Sequence, residues 1–169
     1  MQDRQDFALG QLDRLLEFFS RVDAKATFFF AVVVAMLGVV AANFPVRDVV
    51  SLDGLAGGLS VIFLAVATLR IYEALFPHLD GPQRSSLLYF CDIAAFKEDE
   101  YVERLKAVGT ETVIADAASQ AWRNAEILTI KFNKVRAAFR WMVASLPVWL
   151  LFLLFVAVRE GKAPLLGVG

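Results

Sequence analysis

The chain has 169 residues, of which 58% are hydrophobic and 21% charged, with a formal net charge of -1 and a mean hydropathy of +0.57. Near-neutral charge excludes a polybasic nucleic-acid binder, and the coexistence of so much apolar and so much charged sequence divides the chain into membrane and water-facing segments. A single cysteine, Cys91, and a single histidine, His78, exclude an intrachain disulfide and leave too few ligands for a Cys/His metal site, so no cofactor is expected.

Residues 1–25 are too polar for a signal peptide and place Leu9, Leu12, Leu16 and Phe19 at 3-4-3 spacing, the pattern of an amphipathic helix. Continuing that stripe by four reaches Asp23, an acid expected on the packed face, with Lys25 too far around the helix to pair with it. Residues 26–46 carry no charge and form the first expected membrane crossing. Residues 47–54 are the weakly charged outer loop. Residues 55–76 form the second crossing, with Gly57 and Gly58 near its start and Arg70 snorkelling at its inner end.

Pro77 closes that helix and opens a cytoplasmic sensor region, residues 77–140. Within it, residues 84–96 are apolar yet too short to cross a bilayer and read as a strand or an extended lid. Residues 97–108 read as a short surface helix with Glu98, Asp99 and Glu100 in its first turn, stopped by Gly109, and Thr110 is placed as the cap of the last helix. From Ile114 onward, Ala118, Ala121, Ala125, Leu128, Phe132, Val135, Phe139 and Met142 recur at 4-3 spacing, a heptad seam expected to pack on the stripe of the first helix. The seam runs into residues 141–158, an uncharged third crossing in which Pro147 is expected to cause a bend. Lys131, Lys134, Arg136 and Arg140 precede this crossing and place the soluble part and the N-terminus inside, leaving the tail, residues 159–169, outside.

The expected fold is therefore an all-α membrane protein with three transmembrane helices. Its first and third continue into a cytoplasmic helical stalk, and a small insert lies between the second and third. The few soluble elements bury limited area, which points to a homo-oligomer in the lipid bilayer with no nucleic acid among its partners. The sequence holds no nucleophile with a base in plausible context, no Gly-rich phosphate loop and no spaced metal ligands, so an enzyme is not expected. Taken alone, the acids 98–103 read as a solvated face, and Trp122 and Phe132 as packing groups.

Five short blocks carry a further expectation: Val22-Asp23-Ala24-Lys25-Ala26, Leu75-Phe76-Pro77, Tyr89-Phe90 followed by Asp92-Ile93-Ala94, Glu100-Tyr101, and Ile130-Lys131-Phe132. In this order, and with this membrane pattern, the chain resembles the transmembrane effector family of Pycsar antiphage systems. Val22 stands where the family often has a small residue, and Phe132 where tyrosine is common. The resemblance implies a multi-pass protein of the bacterial inner (cell) membrane with a cytoplasmic N-terminus. A partner uridylate or cytidylate cyclase would make cCMP or cUMP, and the effector would oligomerise or rearrange, disrupt membrane integrity and cause abortive infection.

On that reading a nucleotide would sit between residues 84–96 and the long helix. Arg84, Arg123 and Lys131 are the candidates to oppose its phosphate, and Tyr89, Phe90 and Trp122 to stack on its base. Asp23, Lys25 and Arg70 are the candidate membrane-boundary or gating residues. The reading from another class is a non-conducting, membrane-anchored helical scaffold or adaptor for a soluble partner.

Overall fold

The computed structural model describes residues 2–77 and 86–161; Arg84, His78 and the end of the tail lie outside them. Among the described residues there are five helices and no strand: α1 (Gln2–Asn43), α2 (Leu52–Leu75), α3 (Phe90–Ala95), α4 (Glu98–Ala107) and α5 (Thr110–Arg159). Three of them, α1, α2 and α5, are long and apolar enough to cross a membrane. The chain divides into two compact units, Met1–Val22 with Pro77–Lys131 and Asp23–Phe76 with Phe132–Gly169, so α1 and α5 each contribute to both.

In the second, membrane-type unit the buried positions of each helix recur at 4-3 spacing. On α1 they are Ala26, Val33, Met36 and Val40, with half-buried Phe29 completing the series. On α2 they are Asp53, Gly57, Ser60, Leu64, Ala67, Ile71 and Ala74. On α5 they are Val135, Ala138, Met142, Ser145, Phe152 and Val156, with half-buried Trp149 among them. A repeat of 3.5 rather than 3.6 residues keeps one face turned to a neighbour only if the helices coil around each other with left-handed sense. Val40, Phe152 and Val156 form a core cluster, with Phe44, Ala56, Trp149 and Leu153 packed against it. Gly57 is what lets α2 reach that cluster, since a β-carbon there would stand 3.0 Å from the Phe152 ring. The Trp149 indole N–H donates to the Met36 carbonyl at 3.2 Å and joins α5 to α1.

The helix ends follow from local chemistry. Pro45 disfavours a helical residue before it, and α1 stops at Asn43, whose Nδ2 donates to the Val39 carbonyl at 2.8 Å. Ser51 caps α2 by accepting from the Gly54 N–H at 3.3 Å, which starts the helix at Leu52, ahead of the residue 55 expected. At Gly54 a β-carbon would fall on the Val49 carbonyl oxygen, so only glycine fits this turn. The Gly109 carbonyl accepts from the N–H groups of Thr112 and Val113, and Thr110 is the first residue of α5 rather than its cap. Helical structure continues across Pro147.

The packed stripes differ from the expected ones by one residue at alternate positions. On α5, Ala121, Leu128, Val135 and Met142 belong to both, but Ala117, Lys131 and Ala138 take the places expected for Ala118, Phe132 and Phe139, while Asn124 and Ala125 are both half-buried. Phe132 and Phe139 are 43% and 44% exposed. On α1 the stripe is Ala8, Leu12, Leu15, Phe19 and Val22, so Leu16 is outside it and Val22, rather than Asp23, occupies the packed position. Residues 84–96 are, in their described part, a turn followed by the helix α3 instead of a strand or lid.

Candidate functional site

The unit of Met1–Val22 and Pro77–Lys131 contains the insert, and Ser86 is its hub. This residue is 1% exposed, and its N–H and hydroxyl both have partners. Its N–H donates to Asp92 Oδ2 at 2.9 Å and its hydroxyl to Asp116 Oδ2 at 3.0 Å. The same hydroxyl oxygen accepts from the N–H groups of Leu88 (3.0 Å) and Tyr89 (3.1 Å). Asp116 Oδ2 also accepts from the Leu87 N–H at 2.9 Å, and the Tyr101 hydroxyl donates to the Leu87 carbonyl at 3.2 Å. A turn without regular structure thus has its backbone groups met by the Ser86 hydroxyl and by side chains from α3, α4 and α5, which fixes the position of the residues after it.

Those residues are Tyr89 and Phe90, whose ring centroids lie 5.0 Å apart. Phe90 is 73% exposed, an unusual state for a large apolar ring outside the apolar spans. The Tyr89 phenol is held above its ordinary range mainly by a hydrogen bond with the Cys91 side chain, then by burial, while the nearby Arg123 guanidinium pulls the other way. Arg123 stands one heptad beyond Asp116 on α5, so the tether and the cation share one flank of that helix. Tyr89 and Phe90 are in ring contact, and Arg123 is near enough for its charge to act on the Tyr89 phenol. Trp122 is 66% exposed, and Lys131 is buried with its ammonium 5.3 Å from the Phe19 ring centroid. At roughly 100° per residue these two point to opposite sides of α5, about 180° apart, so they do not face one ligand within a single chain.

The membrane-type unit carries ionic contacts at both ends of α2. At one, Glu73 Oε2 accepts from Arg70 at 2.9 Å and from Lys134 of α5 at 2.6 Å. At the other, Arg159 of α5 pairs with Asp53 and donates to the Asn43 carbonyl at 3.1 Å, gathering the ends of all three long helices. Arg70 is therefore an ion-pair member. Lys25 is exposed on α1, and half-buried Asp23 offers its backbone carbonyl to the Thr27 hydroxyl at 2.9 Å. Sequence reasoning missed Ser86, Asp116, Glu73, Asp53 and Arg159. Asp92 and Tyr101 were visible as parts of a family motif, and the structure gives them architectural work in the insert.

Three helices long and apolar enough to span a membrane and an insert keyed to the longest of them define an all-helical protein of the membrane class; no group of three potential metal ligands occurs among the described residues. The Pycsar effector protein domain matches residues 7–158 of the chain. The chain belongs to that family of antiphage effectors. Comparison with curated proteins and with solved structures found no match.

Proposed function

We propose that the protein is a membrane effector switched by a cyclic pyrimidine mononucleotide, cCMP or cUMP, that then breaches the bilayer and ends the infected cell. The observation that supports this reading is the exposed Phe90 in contact with Tyr89, on an insert tied to α5 by Asp116, with Arg123 one heptad along α5 and within electrostatic reach of Tyr89. An aromatic face suits a base, and a guanidinium suits a single phosphate. The helix carrying Arg123 is the same one that becomes an apolar span, so a ligand that prefers one arrangement of the insert on α5 biases a membrane element directly. Basic residues 131–140 ahead of that span support an orientation with the proposed nucleotide-binding unit and the N-terminus in the cytoplasm, where the ligand would be made.

The test is binding of cCMP, cUMP, cAMP and cGMP to the full chain in vesicles, with dye leakage read in the same samples. Selective pyrimidine binding coupled to leakage is expected. Arg123→Ala should weaken binding by about 10- to 100-fold, the range for losing a hydrogen bond to a charged group. Intact vesicles at saturating nucleotide would instead favour a scaffold that docks a soluble partner.

A further inference from the structure

We infer that Arg136 and Arg140 of α5 bind the phosphate of an anionic phospholipid in the leaflet at the Lys134 end of the spans. The inference rests on the membrane reading above, and on neither a nucleotide nor leakage. In the second unit the packed face of α5 runs through Val135, Ala138 and Met142. Arg140 stands two residues from both Ala138 and Met142, so at about 100° per residue it points to the opposite side, and Arg136 lies one turn before it on that side. Both arginines are exposed, and they share this face with exposed Val143, Leu150 and Leu154 of the apolar span. In a bilayer such a face meets acyl chains.

The level of the pair decides its ligand. Glu73 of α2 meets Lys134 at 2.6 Å, and Arg140 lies six residues further along α5, about 9 Å deeper toward the Asp53–Arg159 layer. Aromatic contacts mark that level on both sides of Arg140: Phe139 meets Phe29 of α1 with ring centroids 5.3 Å apart, and Trp141 meets Phe63 of α2 at 5.7 Å. Both partner rings lie in uncharged sequence, residues 26–43 of α1 and 54–69 of α2. A guanidinium held there costs free energy unless it reaches an anion, and its long side chain can snorkel back to the headgroups. The protein supplies no such anion. On α5 there is no acid between Glu126 and Glu160, the Glu73 carboxylate is taken by Arg70 and Lys134, and Asp23 of α1 has a contact of its own. Among the described residues no ion pair is recorded for either arginine; Arg136 rests 5.0 Å from the Phe132 ring centroid, a stacking that leaves the N–H donors at its edge unoccupied. Four-residue spacing sets the two groups about 6 Å apart along the axis, near enough to grip one phosphate together. Two cations on one phosphate leave a positive charge, to which a choline or ethanolamine headgroup would add and a glycerol headgroup would not, so the site selects an anionic lipid.

The test reconstitutes the full chain in vesicles of phosphatidylglycerol and phosphatidylcholine in equal amounts, extracts it in mild detergent and weighs it by native mass spectrometry. The parent should retain phosphatidylglycerol over phosphatidylcholine, and millimolar inorganic phosphate should not displace it. Arg136→Gln with Arg140→Gln should cut the preference by about 10- to 30-fold. Arg47→Gln, in the turn at the other end of the spans, should leave it unchanged. Solid-state NMR recoupling between lipid phosphorus and the guanidinium carbon should show a contact that Arg136→Lys with Arg140→Lys removes. That variant keeps both charges and decides the matter if the glutamine pair fails to fold. Equal retention of the two lipids, displacement by free phosphate, a preference that survives the glutamine pair or falls equally in Arg47→Gln, or a phosphorus contact that survives the lysine pair would overturn the inference. Flotation with vesicles tests the membrane reading separately: a chain that does not float fails both, and one that floats without lipid preference fails this inference alone.

Discussion

Asp116 accepts two hydrogen bonds through one carboxylate oxygen, from a buried serine hydroxyl and from a backbone N–H in a turn with little other support. Its loss should strand both donors, at about 1–3 kcal/mol for each buried group left unpaired. Asp116→Ala is therefore expected to abolish hydrogen-exchange protection at residues 87–89 while the spans of α1 and α2 keep theirs, as read by exchange mass spectrometry. Unchanged protection in that segment would show that the tether is not what holds it. Nothing in the sequence distinguished Asp116, because a lone acid on a helix is usually solvated and its partner Ser86 is a small residue thirty positions away. Phe90 was legible as an aromatic, and its exposure was not, since hydrophobicity alone predicts burial.

At the level of the element, the three long helices pack through stripes whose 3.5-residue repeat was readable and whose exact phase was not. Ala121, Leu128, Val135 and Met142 lie on the expected and the observed seam alike, because apolar residues on both sides of that column keep it inside whichever flank is chosen. The alternate column had to be guessed from size, and Phe132 and Phe139 look more like core than Lys131 and Ala138 do. Lys131 is seated by its contact with the Phe19 ring, which residue-by-residue hydropathy cannot register. Inside an apolar span hydropathy carries still less, and close approach selects for small side chains instead. The adjacent glycines Gly57 and Gly58 of α2 make a clean comparison. Gly57→Val should drive a side chain into the Phe152 ring and lower thermal stability by about 1–3 kcal/mol, whereas Gly58→Ala, with nothing within 4 Å, should be neutral or stabilising by up to about 1 kcal/mol through helix propensity. Thermal unfolding in detergent checks both, and equal effects would refute the assignment of Gly57 to the interface.

For the molecule as a membrane protein, the two ionic layers set a dimension. Asp53, paired with Arg159, and Glu73, paired with Lys134, lie about 30 Å apart along α2 at roughly 1.5 Å per residue, which matches the hydrocarbon core of an ordinary bilayer. Thermal stability in vesicles should therefore peak at that thickness and decline in both thinner and thicker lipids, by a fraction of a kcal/mol for each ångström of mismatch. A flat profile across acyl-chain lengths would mean that these pairs do not mark the lipid boundary. The small-residue stripe of α2 has a consequence for biogenesis as well. Its mean hydropathy is 1.9 with 33% of the span buried, against 2.2 and 2.4 with 22% buried for the spans of α1 and α5. The helix most dependent on neighbours in the finished protein is thus the weakest candidate to leave the translocon alone, and it is synthesised after one of those neighbours and before the other. Its integration is best served if α1 waits beside the lateral gate, and the ribosome must deliver α5 before the last face of α2 is covered.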